Sequence, residues 1–261
     1  MKRLLLVRHA ECEMNLQTKG FVGGQSNLSP LTARGKQQAV ALGRHLARLH
    51  PSLHSPVFCS TALRAEDTAR IMLQQAQGWP GPIQLQASPV LLELSQGDWE
   101  GQRRSKCYTP EVLERIAADP FTFAAPGGES QQELEARMSS FVHRQLLPIL
   151  QYGGPPAVVV THGLAIKCFL RSVLGSSPAM TWKIETDNTS ITELTWVQAG
   201  PAAGWHLNRV NDTTHLVLAG LTGKLQEWQQ GSNQPTEAGT AAAAAAAMPA
   251  ACVQREERGP T

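Results

Sequence analysis

The chain has 261 residues, 42% of them hydrophobic and 17% charged, with a formal net charge of +2. Those values describe a globular protein of one large domain or two small ones and exclude an intrinsically disordered chain. A near-neutral balance without a long basic stripe argues against a nucleic-acid partner, and no apolar stretch reaches the length of a membrane span.

The first element is the apolar run Leu4-Leu5-Leu6-Val7, which reads as a buried strand and leads into Arg8-His9. The run is too short for the apolar region of a secretory signal, so a cytoplasmic location is expected, with an organelle left open. Residues 20–30, Gly-Phe-Val-Gly-Gly-Gln-Ser-Asn-Leu-Ser-Pro, form an irregular stretch. Its glycines permit close backbone approach to a ligand, and a plain solvent loop is the alternative. A helix is expected from about Thr32, with Ala39, Leu42, Leu46 and Leu49 facing a sheet and Pro51 closing it.

Val57-Phe58-Cys59 is a second short apolar stretch. Ser60 is expected to cap the following helix, which would put Arg64 in its second turn. Leu91-Leu92-Glu93-Leu94 and Gly97-Asp98-Trp99-Glu100-Gly101 come next. Thr109-Pro110 should open a helix, and Ser130 with Glu133 has capping-box spacing ahead of Leu134, Met138 and Phe141. Ala157-Val158-Val159-Val160 is a β-branched buried strand ending at Thr161-His162-Gly163. Leu164 to Leu174 then reads as a helix stopped by Gly175. Residues 191–197 and 205–207 resemble later, partly exposed strands.

Strands alternating with helices imply an α/β fold, a three-layer α/β/α sandwich whose mostly parallel central sheet is flanked by helices. The domain is expected over residues 1–228. From 229 to 261 the composition becomes Gly/Pro/Ser-rich with seven consecutive alanines, a low-complexity tail expected to be disordered. The five cysteines (Cys12, Cys59, Cys107, Cys168, Cys252) are an odd number without metal-ligand spacing, so reduced thiols are expected and no metal or other cofactor is implied.

In parallel sheets functional groups gather at the carboxyl ends of strands, where His9 and His162 both fall. Two histidines there could face one another across one crevice. With Arg8, Arg64 and Glu93 emerging at strand ends or early helical turns, the set suits phosphoryl transfer, which needs a nucleophile, charge neutralisation and a proton for the leaving oxygen. An unprotonated His9 ring nitrogen can attack phosphorus. Arg8 and Arg64 offer fork-shaped donors, and Asn15 adds a neutral donor. His162, if protonated, supplies charge, while Gly163 and the amides opening the next helix suit the same anion. Glu93 is the candidate general acid; Glu11 and Glu100 read as supporting residues. The absence of a carboxylate cluster or histidine triad at ligand spacing points to a metal-free mechanism.

The segments Arg8-His9-Ala10-Glu11, Ser60 through Arg64 to Ala69, Glu93 with Gly97-Asp98-Trp99-Glu100-Gly101, Pro126-Gly127-Gly128-Glu129-Ser130, Thr161-His162-Gly163, Asp187-Asn188-Thr189-Ser190-Ile191 and Asn211-Asp212-Thr213-Thr214-His215-Leu216 resemble the histidine phosphatase superfamily, the phosphoglycerate mutase-like group. The resemblance covers about residues 3 to 218. It implies that His9 is the phosphorylated nucleophile, that Arg8, Arg64 and His162 bind phosphate with help from Asn15, and that Glu93 gives and takes the proton. Two departures stand out: Ala10 replaces the usual glycine, and the loop at residues 20–30 is two or three residues longer than the common pattern.

Within the family, mutases resemble one another in a long segment after the acid glutamate. Here Glu93 to Glu129 spans 36 positions (129 − 93), and Trp99-Glu100-Gly101 with Pro126-Gly127-Gly128-Glu129 is more similar to phosphatase relatives. The expected function is a metal-independent phosphoric monoester hydrolase acting on a small phosphorylated metabolite. A phosphoglycerate mutase and an inactive phospho-ligand-binding scaffold are the alternatives. The insert between Gln102 and Phe123 is expected to help form a pocket lid, where Arg103, Arg104 and Lys106 could meet a second anionic group or simply form a solvated face. Oligomeric state is not legible.

Overall fold

The computed structural model describes residues 1–222 except 18, 19, 54, 76–78, 80 and 82. The expected tail over 229–261, Cys252 included, lies outside the described residues. The strands are β1 (Lys2–Arg8), β2 (Val57–Ser60), β3 (Leu85–Ser88), β4 (Ala157–Thr161), β5 (Ile191–Val197) and β6 (Gly204–Asp212). They form one sheet in the order β3-β2-β4-β1-β5-β6. β3, β2, β4 and β1 are mutually parallel, whereas β5 runs antiparallel to β1 and β6 antiparallel to β5. This is the expected mostly parallel sheet, with an antiparallel edge.

The helices are α1 (Glu13–Gln17), α2 (Ala33–Leu49), α3 (Leu63–Gln74), α4 (Arg104–Cys107), α5 (Pro110–Ala118), α6 (Gln131–Phe141), α7 (Gly163–Leu174) and α8 (Thr214–Leu218). Period-2 alternation in the central strands divides the core. Leu4, Leu6 and Val159 pack on one face with Met138 and Phe141 of α6 and Ile166 and Phe169 of α7. Leu5, Val7, Val158 and Val160 pack on the other with Leu42 and Leu46 of α2 and Met72 of α3. Each of these fully buried side chains contributes about 1.5–3 kcal/mol by leaving water. Two covered faces explain why β1 and β4 read as continuous apolar runs.

Local signals worked where they were self-contained. Thr32 accepts the Gly35 N–H to start α2, Thr109 accepts the Val112 N–H ahead of Pro110 in α5, Ser130 and Glu133 close a reciprocal capping box on α6, and Gly175 ends α7 in the left-handed region at φ 55°.

Several expectations need correcting. Leu49, the last residue of α2, is half exposed and lies outside the buried face of that helix. Ser60 does not cap α3: it ends β2, the cap position is Ala62, and Arg64 therefore lies in the first turn. β3 carries two exposed side chains in four residues and offered no apolar run to read. β6 is nine residues long, since its register on β5 extends to Asp212. Among the described residues no helix is long and apolar enough to cross a membrane.

Candidate active site

The site begins with strand pairing. β1 and β4 are neighbours, with Arg8 opposite Thr161, so the residues that follow, His9 and His162, emerge side by side at the carboxyl edge of the sheet. Their ring centroids are 5.1 Å apart with planes inclined by 60°. Both are buried, at 4% and 0% exposure.

The His9 ring is oriented by its own strand end. Nδ1 lies 2.7 Å from the Ala10 carbonyl oxygen. A carbonyl only accepts, so Nδ1 carries the proton and Nε2 keeps its lone pair. Hydrogen bonds hold the His9 backbone: its N–H donates to Thr161 O at 2.8 Å, and the Asn188 side-chain Nδ2 donates to His9 O at 3.0 Å. Burial, reinforced by Arg8 and Arg64, pushes the His9 pKa well below the ordinary histidine range.

His162 Nε2 lies 2.8 Å from Ser60 Oγ, and that oxygen also accepts the Ala62 N–H at 3.2 Å. With the serine proton given to Nε2, the ring proton sits on Nδ1, a buried atom that has no partner among the described residues. Burial first, then Arg64, His9 and Arg8, lower the His162 pKa far below its usual value. A charged His162 is disfavoured in this arrangement, because removal from water and the nearby guanidinium groups oppose its protonation.

Arg8 Nη1 donates to Thr186 O at 2.6 Å, while its buried Nε has no partner among the described residues. A Cβ at Gly163 would lie 3.2 Å from Thr186 Oγ1 and 3.4 Å from Arg8 Nε. Glycine thus leaves room for the guanidinium beside the start of α7. Arg64, 4% exposed, donates from Nη1 to Ser26 O at 2.7 Å and from Nη2 to Gly24 O at 3.0 Å. The long loop is therefore not a plain solvent loop. Glu100 orders it, accepting from Gln25 N at 2.9 Å and from Gln96 N at 3.0 Å. Gly24, at φ 135°, lies where a Cβ would strike the Glu100 carboxylate. Glu11 likewise supports rather than reacts, binding Thr32 Oγ1 at 2.7 Å and Arg34 at 3.2 Å.

Glu93 sits opposite the start of α7. Its Oε2 accepts the Leu164 N–H at 3.0 Å and its Oε1 the Ala165 N–H at 3.1 Å. The expectation that these helix-opening amides serve a bound anion is corrected: they hold the glutamate, because a carboxylate from the neighbouring loop reaches them. Asn15 joins the site through Oδ1, which accepts from Cys12 N at 3.0 Å and Asn188 Nδ2 at 3.2 Å.

Sequence reasoning missed several supporting residues. Ser60 was legible only as a helix cap, since local spacing cannot reveal a partner 102 residues away. Arg137 gave no signal. It donates to the carbonyls of Val90, Leu92 and Glu93 and forms a two-bond pair with Glu129, at 2.6 and 2.8 Å. The loop carrying Glu93 is thereby tied to the Pro126–Glu129 turn. In the insert, Arg104 stacks 4.4 Å from the Tyr108 ring and Arg103 lies 5.8 Å from Phe21, so these two cations have aromatic neighbours. Among the described residues no group of three or more His, Cys, Asp or Glu side chains is placed to hold a metal ion.

The depressed histidines have a consequence for stability. Burial takes His215 to about 4, with His45 adding and Asp212 opposing; burial, Arg3 and other cations take His50 to about 4 as well. In the unfolded chain such rings take up protons near pH 6.5, so acidification favours unfolding. The melting temperature is expected to hold steady above about pH 6.5 and to fall progressively toward pH 4. Thermal unfolding across that range checks this; a flat profile contradicts it.

Comparison with known proteins supports the same reading. The family model of the histidine phosphatase superfamily (branch 1) matches residues 4–213. A curated relative from Salmonella paratyphi C (strain RKS4594), named "Probable phosphoglycerate mutase GpmB", is 32% identical over 226 residues, 85% of this chain and 98% of that protein. The solved structure of a mycobacterial glucosyl-3-phosphoglycerate phosphatase is similar, with a TM-score of 0.67 and 25% identity over 81% of this chain and 99% of that one. The alpha-ribazole phosphatase from Shigella flexneri shares the fold, with a TM-score of 0.65 and 24% identity over 80% and 96% of the two chains. With His9, His162, Arg8, Arg64 and Glu93 gathered at one sheet edge and the family model spanning nearly all the described residues, the chain belongs to the histidine phosphatase superfamily, branch 1.

Proposed function

We propose that the protein is a metal-independent phosphoric monoester hydrolase that removes phosphate from a small phosphorylated metabolite through a phosphohistidine on His9. The observation that carries this reading is the His9 tautomer. With Nδ1–H spent on the Ala10 carbonyl, a neutral ring offers the Nε2 lone pair beside two guanidinium groups and His162. Nε2 attacks phosphorus, the bond from phosphorus to the ester oxygen breaks, and Glu93 delivers a proton to that leaving oxygen. Glu93 then takes a proton from water as the water oxygen attacks the phosphohistidine. Inorganic phosphate leaves and the neutral imidazole returns. Arg8 and Arg64 neutralise the equatorial oxygens, with Asn15 and Gly163 shaping the same pocket. The incoming phosphate draws a proton onto His162, whose Nδ1 otherwise has no partner among the described residues.

Hydrolysis of p-nitrophenyl phosphate in the presence of a chelator is expected. No turnover by well-folded protein across several phosphoesters between mildly acidic and neutral pH would sink the reading. A phosphoglycerate mutase is the second reading, favoured by the name of the Salmonella relative; it requires interconversion of 2- and 3-phosphoglycerate primed by the bisphosphate. Against it, the segment after Glu93 is short and pinned at its base, with Asp98 N donating to Pro126 O and Glu129 N to Ser95 O, both at 2.9 Å. A panel of sugar phosphates, phosphoserine and phosphorylated acids then identifies the substrate.

The acid role has its own test. Glu93→Gln keeps the size of the side chain but removes the transferable proton. It is expected to slow alkyl phosphoesters by about 10²-fold or more while slowing p-nitrophenyl phosphate far less, since that leaving group needs little protonation. Equal losses on both would count against Glu93 as the acid.

A further inference from the structure

A second concave region lies away from the catalytic crevice, between α2 and α8. It is a cleft of about 550 Å³, lined by the cations Lys36, Arg44 and Arg48 and by His45 and His215; no Asp or Glu belongs to its lining among the described residues. Lys36, Arg44 and Arg48 repeat every four or eight positions, so they share one ridge of α2. Val40, Leu218 and Leu221 supply an apolar wall. Asp212, a carboxylate whose charge acts on both rings, is engaged by the Thr214 N–H at 2.9 Å and by Arg209 at 3.3 Å.

Two buried polar atoms of residues that line this cleft lack partners among the described residues, His45 Nε2 and His215 Nδ1. Their rings are 5.6 Å apart, and His215 is only 3% exposed. The other nitrogen of His215 is committed. Thr189 Oγ1 gives its proton to Asn188 O at 2.7 Å, so at 3.0 Å it accepts from His215 Nε2–H. Nδ1 of the neutral ring therefore carries a lone pair in a dry position, a costly arrangement unless something donates to it.

Thr189 also touches the nucleophile. Its N–H donates to Arg8 O at 2.9 Å and lies 3.3 Å from His9 O. At φ 59° it is a β-branched residue in the left-handed region, so the surrounding bonds hold it in a conformation it would not choose alone. A single side chain, His215, thus joins the cleft to the turn that fixes Arg8 and His9.

We propose that the α2–α8 cleft is a second ligand site, taking a phosphate-bearing organic anion of nucleotide size, whose binding reaches His9 through His215 and Thr189. The three cations take the phosphate oxygens, the ligand seats against the His215 side chain that lines the cleft, and the apolar wall covers the organic part.

The test uses the full chain with the catalytic crevice saturated by orthovanadate. Calorimetric titration with AMP, ATP and inorganic pyrophosphate is expected to show one remaining saturable site, and a nucleotide is expected to bind it more tightly than pyrophosphate. Arg44→Glu with Arg48→Glu should weaken that binding by about tenfold or more, while leaving p-nitrophenyl phosphate kinetics without nucleotide unchanged. In NMR spectra the Thr189 and His9 amides should shift on titration in the parent chain and not in the double variant. Binding that vanadate abolishes entirely, affinity indifferent to the charge reversal, or unmoved Thr189 and His9 amides would each overturn the proposal. So would a dimer that the double variant dissociates, since a second copy would then occupy the cleft. The binding titrations and the amide shifts require no turnover, so a chain that hydrolyses no phosphoester refutes the phosphatase reading and leaves those readouts intact.

Discussion

His9→Ala is expected to abolish covalent trapping of labelled phosphate and to lower turnover of p-nitrophenyl phosphate by at least about 10⁴-fold. The size of the effect follows from what the side chain does in the proposed mechanism. It forms the bond to phosphorus, and no neighbouring group is built to replace it. His162 is 5.1 Å away between centroids, but its Nε2 is committed to Ser60, so its lone pair is not presented in the way His9 Nε2 is. The Ala10 carbonyl sets the tautomer, and burial beside Arg8 and Arg64 keeps the ring unprotonated. The nucleophile is thus in its reactive form before substrate arrives, and activity should persist as pH falls through the ordinary histidine range. The variant retains Arg8, Arg64 and His162, so phosphate binding should survive and separate loss of chemistry from loss of fold. Labelled phosphate that still attaches covalently to His9→Ala protein would show that the nucleophile is another residue.

Arg64→Ala is expected to lower kcat/KM by about 10²- to 10³-fold, through a higher KM and a lower kcat together. Two losses combine. The guanidinium opposes charge on the phosphate oxygens, and that interaction strengthens as the transition state forms. It also spans the Gly24 and Ser26 carbonyls, at 3.0 and 2.7 Å. Alanine leaves both acceptors without that donor, and the loop keeps its contacts with Glu100, with Glu93 O and with the Leu63 N–H as tethers. Arg64→Lys is expected to recover little, because one ammonium cannot reproduce the planar fork that serves two carbonyls and a phosphate. Steady-state kinetics on p-nitrophenyl phosphate, with circular dichroism to verify folding, decide the matter. A kcat/KM within about threefold of the parent would remove Arg64 from the proposed phosphate site.

Much of the architecture was legible because its causes are local. The alternating faces of Leu4 to Val7 and of Val158 to Val160 are visible as apolar runs, and both faces are buried as those runs imply. Thr32, Thr109, Ser130 and Gly175 act within one turn of their own helices. The candidate site residues were legible for a different reason: each carries a functional group at the end of a recognisable element or in a family motif. Their supporting contacts were not. Ser60 looked like a cap, since nothing nearby in sequence points to His162. Arg137 carried no local signal, yet its donors converge on the loop of Glu93 and on Glu129.

By itself the sequence determined the alternation of buried strands and capped helices, the chemical types at the strand ends, and the family to which those motifs belong. Tertiary structure alone decided that β1 lies beside β4 with Arg8 opposite Thr161, which turns two distant histidines into neighbours. It also decided that Glu93 takes amides at the start of α7, that the long loop grips Arg64, and that burial and nearby guanidinium groups push the pKa of both site histidines down. The physical reason is common to all four. Propensity, capping and periodicity act over a few residues and are written along the chain. Burial, charge proximity and hydrogen bonds between distant segments exist only once the sheet has paired and water has been excluded.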